Sequence, residues 1–183
     1  MGVYDEALSG FDIESKRYLI NLKIMPFVGA GVCFQFHQME DGSYKMFWNI
    51  DKICGGKEGT RNLCAYLKAH PGTRATDVQE VLKSKEFIAY VKGLSPVQCA
   101  DLRGPEVDVV NDVAFAAWEK GDGVKSGLDG NWITVYLPQT GKQYKTWSYV
   151  PEEWEELAPL VNMAVDKADL ELGEYYKTSV HWS

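Results

Sequence analysis

The sequence predicts an α+β fold: an antiparallel sheet built from two β-hairpins plus an early strand, packed by four or five helices. Three observations carry this expectation. Two β-rich stretches fold back at glycine turns, one at Asp41-Gly42 and one near Thr140-Gly141. Ile20, Leu22 and Ile24 alternate with Asn21 and Lys23, the two-residue period of a half-buried strand. Between these stretches, apolar residues recur at helical spacing. No repeat, low-complexity tract or linker interrupts the 183 residues, so one domain over 1–183 is expected. A chain of this length buries roughly 70% of its unfolded surface and needs no metal or disulfide to hold it.

In chain order, Tyr4, Ala7, Leu8 and Phe11 predict a short amphipathic helix closing near Ser9-Gly10. Arg17 to Met25 is the early strand, ended by Pro26. Val32 to Ile50 reads as a hairpin, because Gly42 accepts the positive φ of a tight turn. A two-residue loop pairs Met39 with Tyr44 and Phe36 with Phe47, and sets His37 opposite Met46. Gly55 to Gly59 reads as a loop before a helix over Thr60 to Ala69, which His70-Pro71-Gly72 stops. Thr76 is placed to cap the next helix. That helix is either buried broadly or broken near Ser84, since Phe87, Val91 and Leu94 lie opposite Val78, Val81 and Leu82. Pro105 to Lys120 forms another helix with the stripe Val107, Val110, Ala114, Ala117 and Trp118. A loop containing four glycines follows, Gly121 to Gly130.

Asn131 to Tyr149 is the second hairpin. A two-residue turn puts Ile133, Val135, Leu137 and Tyr144 on one face, although Pro138 allows a longer turn. Pro151 to Leu172 carries the longest stripe, from Trp154 and Leu157 to Leu172, with a kink or restart expected at Pro159. The tail from Glu174 to Ser183 is aromatic enough to dock.

Composition excludes several classes. The net charge is −7 and the 19 Lys and Arg are scattered, so duplex nucleic acid is not an expected partner. No apolar stretch approaches the ~20 residues that cross a bilayer, and the first residues lack the basic and apolar regions of a secretory signal. A cytoplasmic location is expected. Cys33, Cys54, Cys64 and Cys99 match no zinc or redox spacing and read as buried reduced thiols. Asp122, Asp129 and Asn131 do not complete a calcium loop. No G-x-S-x-G signature occurs, His37 reads as a structural strand residue, and Cys64 and His70 are badly spaced for a nucleophile pair. No cofactor is expected.

Pro26-Phe27-Val28-Gly29-Ala30-Gly31-Val32 is similar to the NAD-contacting start of sirtuin-like domains. The resemblance implies that Gly29 and Gly31 let the backbone approach a dinucleotide and that a helix follows. The residues that do follow, Cys33 to His37, alternate like a strand. Further on, Lys57 and Arg61 flank the Gly55–Gly59 loop, where backbone N–H groups at a helix start can hold an anion.

The second hairpin is the more suggestive feature. Its other face collects Trp132, Tyr136, Lys145, Trp147 and Tyr149, beside the acidic Glu152 and Glu153. That face is either a binding patch or is covered by the last helix through Trp154 and Leu157. The stretch from Gly127-Leu128-Asp129-Gly130 to Trp154 resembles small uncharacterised bacterial proteins, some of them toxin-immunity factors. The sequence thus reads as a non-catalytic binding protein, an intracellular inhibitor or neutraliser of another protein, with a basic partner the easier to accommodate. The alternative is a small-molecule or nucleotide enzyme using Gly29, Gly31, Lys57 and Arg61.

Overall fold

A computed structural model describes residues 18–25, 31–51, 56–72, 78–94, 96–118, 132–147 and 150–169 of the chain. The first helix expected, the Thr76 cap, Cys54, the glycine loop at 121–130 and the aromatic tail lie outside these residues. In chain order the elements are β1 (Tyr18–Met25), β2 (Gly31–Gln38), β3 (Tyr44–Asp51), α1 (Gly56–Ala69), α2 (Val78–Lys83) and α3 (Lys85–Leu94). There follow β4 (Gln98–Leu102), α4 (Pro105–Ala114), β5 (Trp132–Leu137), β6 (Lys142–Trp147), a 3₁₀ turn (Glu152–Trp154) and α5 (Leu157–Lys167). The strands form one six-stranded sheet in the order β4-β3-β2-β1-β5-β6. Every pairing is antiparallel. The α+β class is therefore as the patterning requires: two hairpins, the early strand between them, and one edge strand more.

One face of the sheet is apolar almost from edge to edge. Tyr144, Val135, Leu22, Phe34 and Trp48 are successive cross-strand partners. Ile24 stands between Ile133 and Val32 in the next row. Helices α4 and α5 cover this face, and Val110, Val113, Ala114, Leu157, Leu160, Val161 and Ala164 join the same buried cluster. Burying a sheet face against a helical layer is the usual way such a domain removes its apolar area from water. Trp118, Tyr144 and Trp154 seal one end of it. Their ring centroids lie 5.1, 5.4 and 5.7 Å apart. Tyr144 donates to the Trp118 carbonyl at 3.1 Å, and Trp118 Nε1 donates to Glu156 at 2.9 Å, so both buried rings satisfy their polar atoms. Lys167 Nζ and Glu106 Oε1, 2.6 Å apart, tie α5 to the first turn of α4.

Helices α1 to α3 leave the sheet between β3 and β4 and build a small cluster of their own from Tyr66, Val81, Phe87 and Val91. The ambiguous helix is broken at Ser84. The Ser84 hydroxyl donates to the Val81 carbonyl at 2.8 Å and accepts from the Phe87 N–H at 3.2 Å, ending α2 and capping α3 with one side chain. The break turns the second helix so that Phe87 and Val91 join Val81 in the same cluster.

Several expectations are corrected. The first hairpin turns through Glu40, Asp41 and Gly42, not through two residues. Met39 N–H donates to the Ser43 carbonyl, and Gly42 sits at φ 81°. The Asp41 carboxylate accepts from both the Ser43 N–H and hydroxyl, bonds that hold its carboxyl below the ordinary range. An odd loop shifts the register by one, so Gln38 pairs with Tyr44 and Lys45, not Met46, stands opposite His37. Phe34 and Phe36 therefore share their face with Met46 and Trp48, while Phe47 turns to the other side. The second hairpin takes a four-residue loop, because Leu137 pairs with Lys142. That slip is even, so the faces stay as expected.

Helix α1 begins at Gly56, inside the glycine run expected to be a loop. Helix α4 ends at Ala114 rather than Lys120, and α5 starts at Leu157, after the 3₁₀ turn. Pro159 falls in the first turn of α5, where a backbone N–H has no intrahelical acceptor, so the helix restarts there instead of kinking. Strand β4 was not foreseen, because Gln98-Cys99-Ala100-Asp101-Leu102 has little apolar alternation. Of the cysteines expected to be buried, Cys33 is, but Cys64 and Cys99 are exposed; all three are free thiols.

Gly42 has nothing within 4 Å of the position a Cβ would occupy, so only its left-handed backbone resists substitution. Gly42→Ala is expected to cost about 1–2 kcal/mol in urea denaturation, with the slope unchanged. A neutral result would mean that the loop relaxes into another turn.

Candidate functional site

The sheet face turned away from α4 and α5 is built from four cross-strand rows. The first row joins Trp147 of β6, Trp132 of β5 and Met25 of β1. The second runs Lys145, Thr134, Lys23, Cys33 and Asn49. The third runs Gln143, Tyr136, Asn21, Gln35, Phe47 and Cys99. In the fourth, Tyr18 faces His37, followed by Lys45 and Asp101.

The hairpin end of this face is aromatic. Trp132 and Trp147 meet edge to face with centroids 4.6 Å apart, and Lys145 Nζ lies 4.0 Å over the Trp132 ring. Such a cation–π contact adds ~0.5–1 kcal/mol at an exposed site and holds the lysine flat on the indole. Trp147 is nearly buried by its neighbours, Trp132 and Tyr136 are half-buried, and Lys145 is exposed. The last helix does not cover this patch: Trp154 and Leu157 belong to the cluster on the opposite face. Trp132, Tyr136, Lys145 and Trp147 are thus brought together as the alternation requires. Tyr149 lies outside the described residues. Glu152 and Glu153 fall on the 3₁₀ turn after β6, with Glu153 exposed.

The centre of the face is polar and buried. Gln35, His37 and Asn49 retain 7%, 1% and 6% of their surface. His37 Nε2 and Gln35 Oε1 are 3.1 Å apart, and Cys33 Sγ donates to Asn21 Oδ1 at 3.3 Å. The Phe47 ring stands edge-on to His37 at 5.0 Å, with the Tyr18 ring 6.0 Å away on the other side. Burial lowers the His37 pKa to about 4, so the imidazole is neutral at physiological pH. This band escaped sequence reading. The signal is the alternation of Cys33, Gln35 and His37 with Val32, Phe34 and Phe36, but the expected two-residue loop pairs Phe47 with Phe36 instead of Gln35.

Of the glycine and basic residues singled out for an anion or dinucleotide, Gly31, Lys57 and Arg61 fall on described elements. Gly31 opens β2, and a strand, not a helix, follows it. A Cβ there would collide with Met25 Sδ and come within 3.2 Å of the Ile24 carbonyl, so glycine allows β1 to close on the start of β2. Gly29 lies outside the described residues. Lys57 and Arg61 lie on α1, not in a loop, and Arg61 is exposed. Among the described residues no three His, Cys, Asp or Glu are grouped to hold a metal, and no helix is long and apolar enough to cross a membrane. Comparison with known proteins returned no match to a family model, a curated protein or a solved structure.

Proposed function

We propose that this chain is a non-catalytic binding protein, an inhibitor or neutraliser of another protein inside the cell, engaging its partner through the aromatic end of the second sheet face. The observation that carries it is the Lys145–Trp132–Trp147 stack. It stands on the side of the sheet that the α4–α5 layer leaves alone. Large aromatic rings with a clamped cation are what protein interfaces concentrate at their centres. A rigid sheet supports them, which lowers the entropy lost on association. The free thiols of Cys33, Cys64 and Cys99 suit a reducing compartment.

Affinity capture from the native host tests this. The wild-type chain should retain a stoichiometric protein, and Trp132→Ala should weaken that complex by about 30-fold or more, the loss expected of a hot-spot indole. Trp132 is only half-buried, so the variant should keep its fold by circular dichroism. Failure to recover any stoichiometric protein, or equal binding by folded Trp132→Ala, would refute the assignment. A toxin whose activity the chain suppresses in co-expression would establish the neutralising role.

A further inference from the structure

The buried polar band contains an atom with no partner. Asn49 Oδ1 is inaccessible to solvent and accepts no hydrogen bond, and its residue keeps only 6% of its surface. The other such atom among the described side chains is Trp48 Nε1, whose residue belongs to the opposite, apolar face. A buried amide oxygen without a donor costs stability, so a group that brings a donor to it recovers that cost on binding. Asn49 is the cross-strand neighbour of Cys33, whose thiol is turned to Asn21. Next to it in the band stand the Gln35–His37 pair and the half-buried ring of Phe47. The surroundings thus offer side-chain amides for hydrogen bonds and a flat ring for stacking.

We infer that this band is a second binding site, separate from the aromatic hairpin end, for a small uncharged planar compound that donates an amide or ring N–H to Asn49 Oδ1, the chemistry of a free nucleobase. Charge on the ligand is disfavoured by the same burial that keeps His37 neutral. A planar ring finds a stacking surface in Phe47. Side-chain amides match the donor and acceptor edges of a base, as they do wherever unpaired bases are read. The site does not depend on the protein-binding reading, since none of Trp132, Lys145 and Trp147 contributes to it.

Two variants and one probe set test it. Uracil, cytosine and adenine at millimolar concentration are titrated into the 15N-labelled chain, following the side-chain amide of Asn49 and the Tm. Saturable movement of the Asn49 amide resonances with one of the three bases, together with a raised Tm, is the expected result. Asn49→Leu removes the orphan oxygen at similar volume. It should raise the Tm of the free protein by about 3–8 °C while abolishing the response to the base. Asn49→Asp, which keeps the shape but places a charge there, should lower the Tm and also abolish the response. A lower Tm for Asn49→Leu would show that the amide is fully used by the fold and overturns the inference. So does the absence of any response of the wild-type chain to all three bases. Neither result touches the Trp132 capture experiment.

Discussion

Phe34→Ala is expected to destabilise the protein by about 3–5 kcal/mol, the range for removing a fully buried aromatic ring from a core that cannot collapse around the void. Phe34 is 0% exposed and stands between Leu22 and Trp48 in the central row of the apolar face. Its loss removes packing from both neighbouring strands at once. Urea denaturation measures the effect as a lowered midpoint. Phe115→Ala is the matched control: its ring is 70% exposed at the end of α4, and its removal should stay within about 0.5 kcal/mol. Similar costs for the two phenylalanines would show that the helical layer does not seal the sheet as described.

The second large effect is set by pH. His37 has a folded-state pKa of about 4 against an ordinary value of 6.5, with burial as the cause. A depressed pKa means that the unfolded chain binds the proton more readily than the folded one. The stability it confers is complete above pH 6.5 and is lost progressively as the pH falls through the window from 6.5 to about 4. A gap of this size corresponds to about 3 kcal/mol. Lys45, the cross-strand neighbour of His37, is itself paired with Asp101 at 3.5 Å, and the groups that touch the imidazole, Gln35, Phe47 and Tyr18, are uncharged side chains or aromatic rings. His37→Gln keeps a polar partner for Gln35 but has no proton to gain, so its stability should be flat across that window. As the pH falls past 4.5, the ordinary value of a glutamate, Glu106 adds a loss of the same sign. Burial works against its charge, but Lys167 and the Arg103 N–H outweigh this and keep its carboxyl below the ordinary range. A wild-type profile as flat as that of the variant would mean that His37 is hydrated and not enclosed by its ring neighbours.

How much of this was legible in the sequence depended on parity. The alternation of Ile20, Leu22 and Ile24 fixed β1 and its buried face without help from any neighbour. The stripe through Leu157, Val161 and Ala164 fixed α5. The second hairpin kept its faces despite a longer loop, because a slip of two residues returns every side chain to the same side. The first did not, because Asp41 recruits Ser43 and makes the loop odd. That single residue of register concealed the band around Gln35, His37 and Asn49, since Phe47 is then expected on the face of Phe34 and Phe36. Edge strand β4 was illegible for a different reason: an exposed strand need not carry an apolar period, and its place is set by pairing with β3. The break at Ser84 was visible as a conflict between two helical stripes, and only the hydroxyl's bonds to Val81 and Phe87 decide it.

Strands β3 and β4 are neighbours in the sheet, yet residues 52–97 separate them in the chain. Closing an excursion of that length costs only about 2 kcal/mol more than closing a short hairpin, since the entropy grows with the logarithm of the loop. The cluster around Tyr66 and Phe87 is large enough to offset much of that. Amide protons of α1 to α3 should therefore exchange through a local opening that leaves the sheet intact, at a lower free energy than those of β1 and β2. The pairing of β3 with β4 tolerates such an event, and replacing the excursion by a tight turn should leave the remaining strands folded.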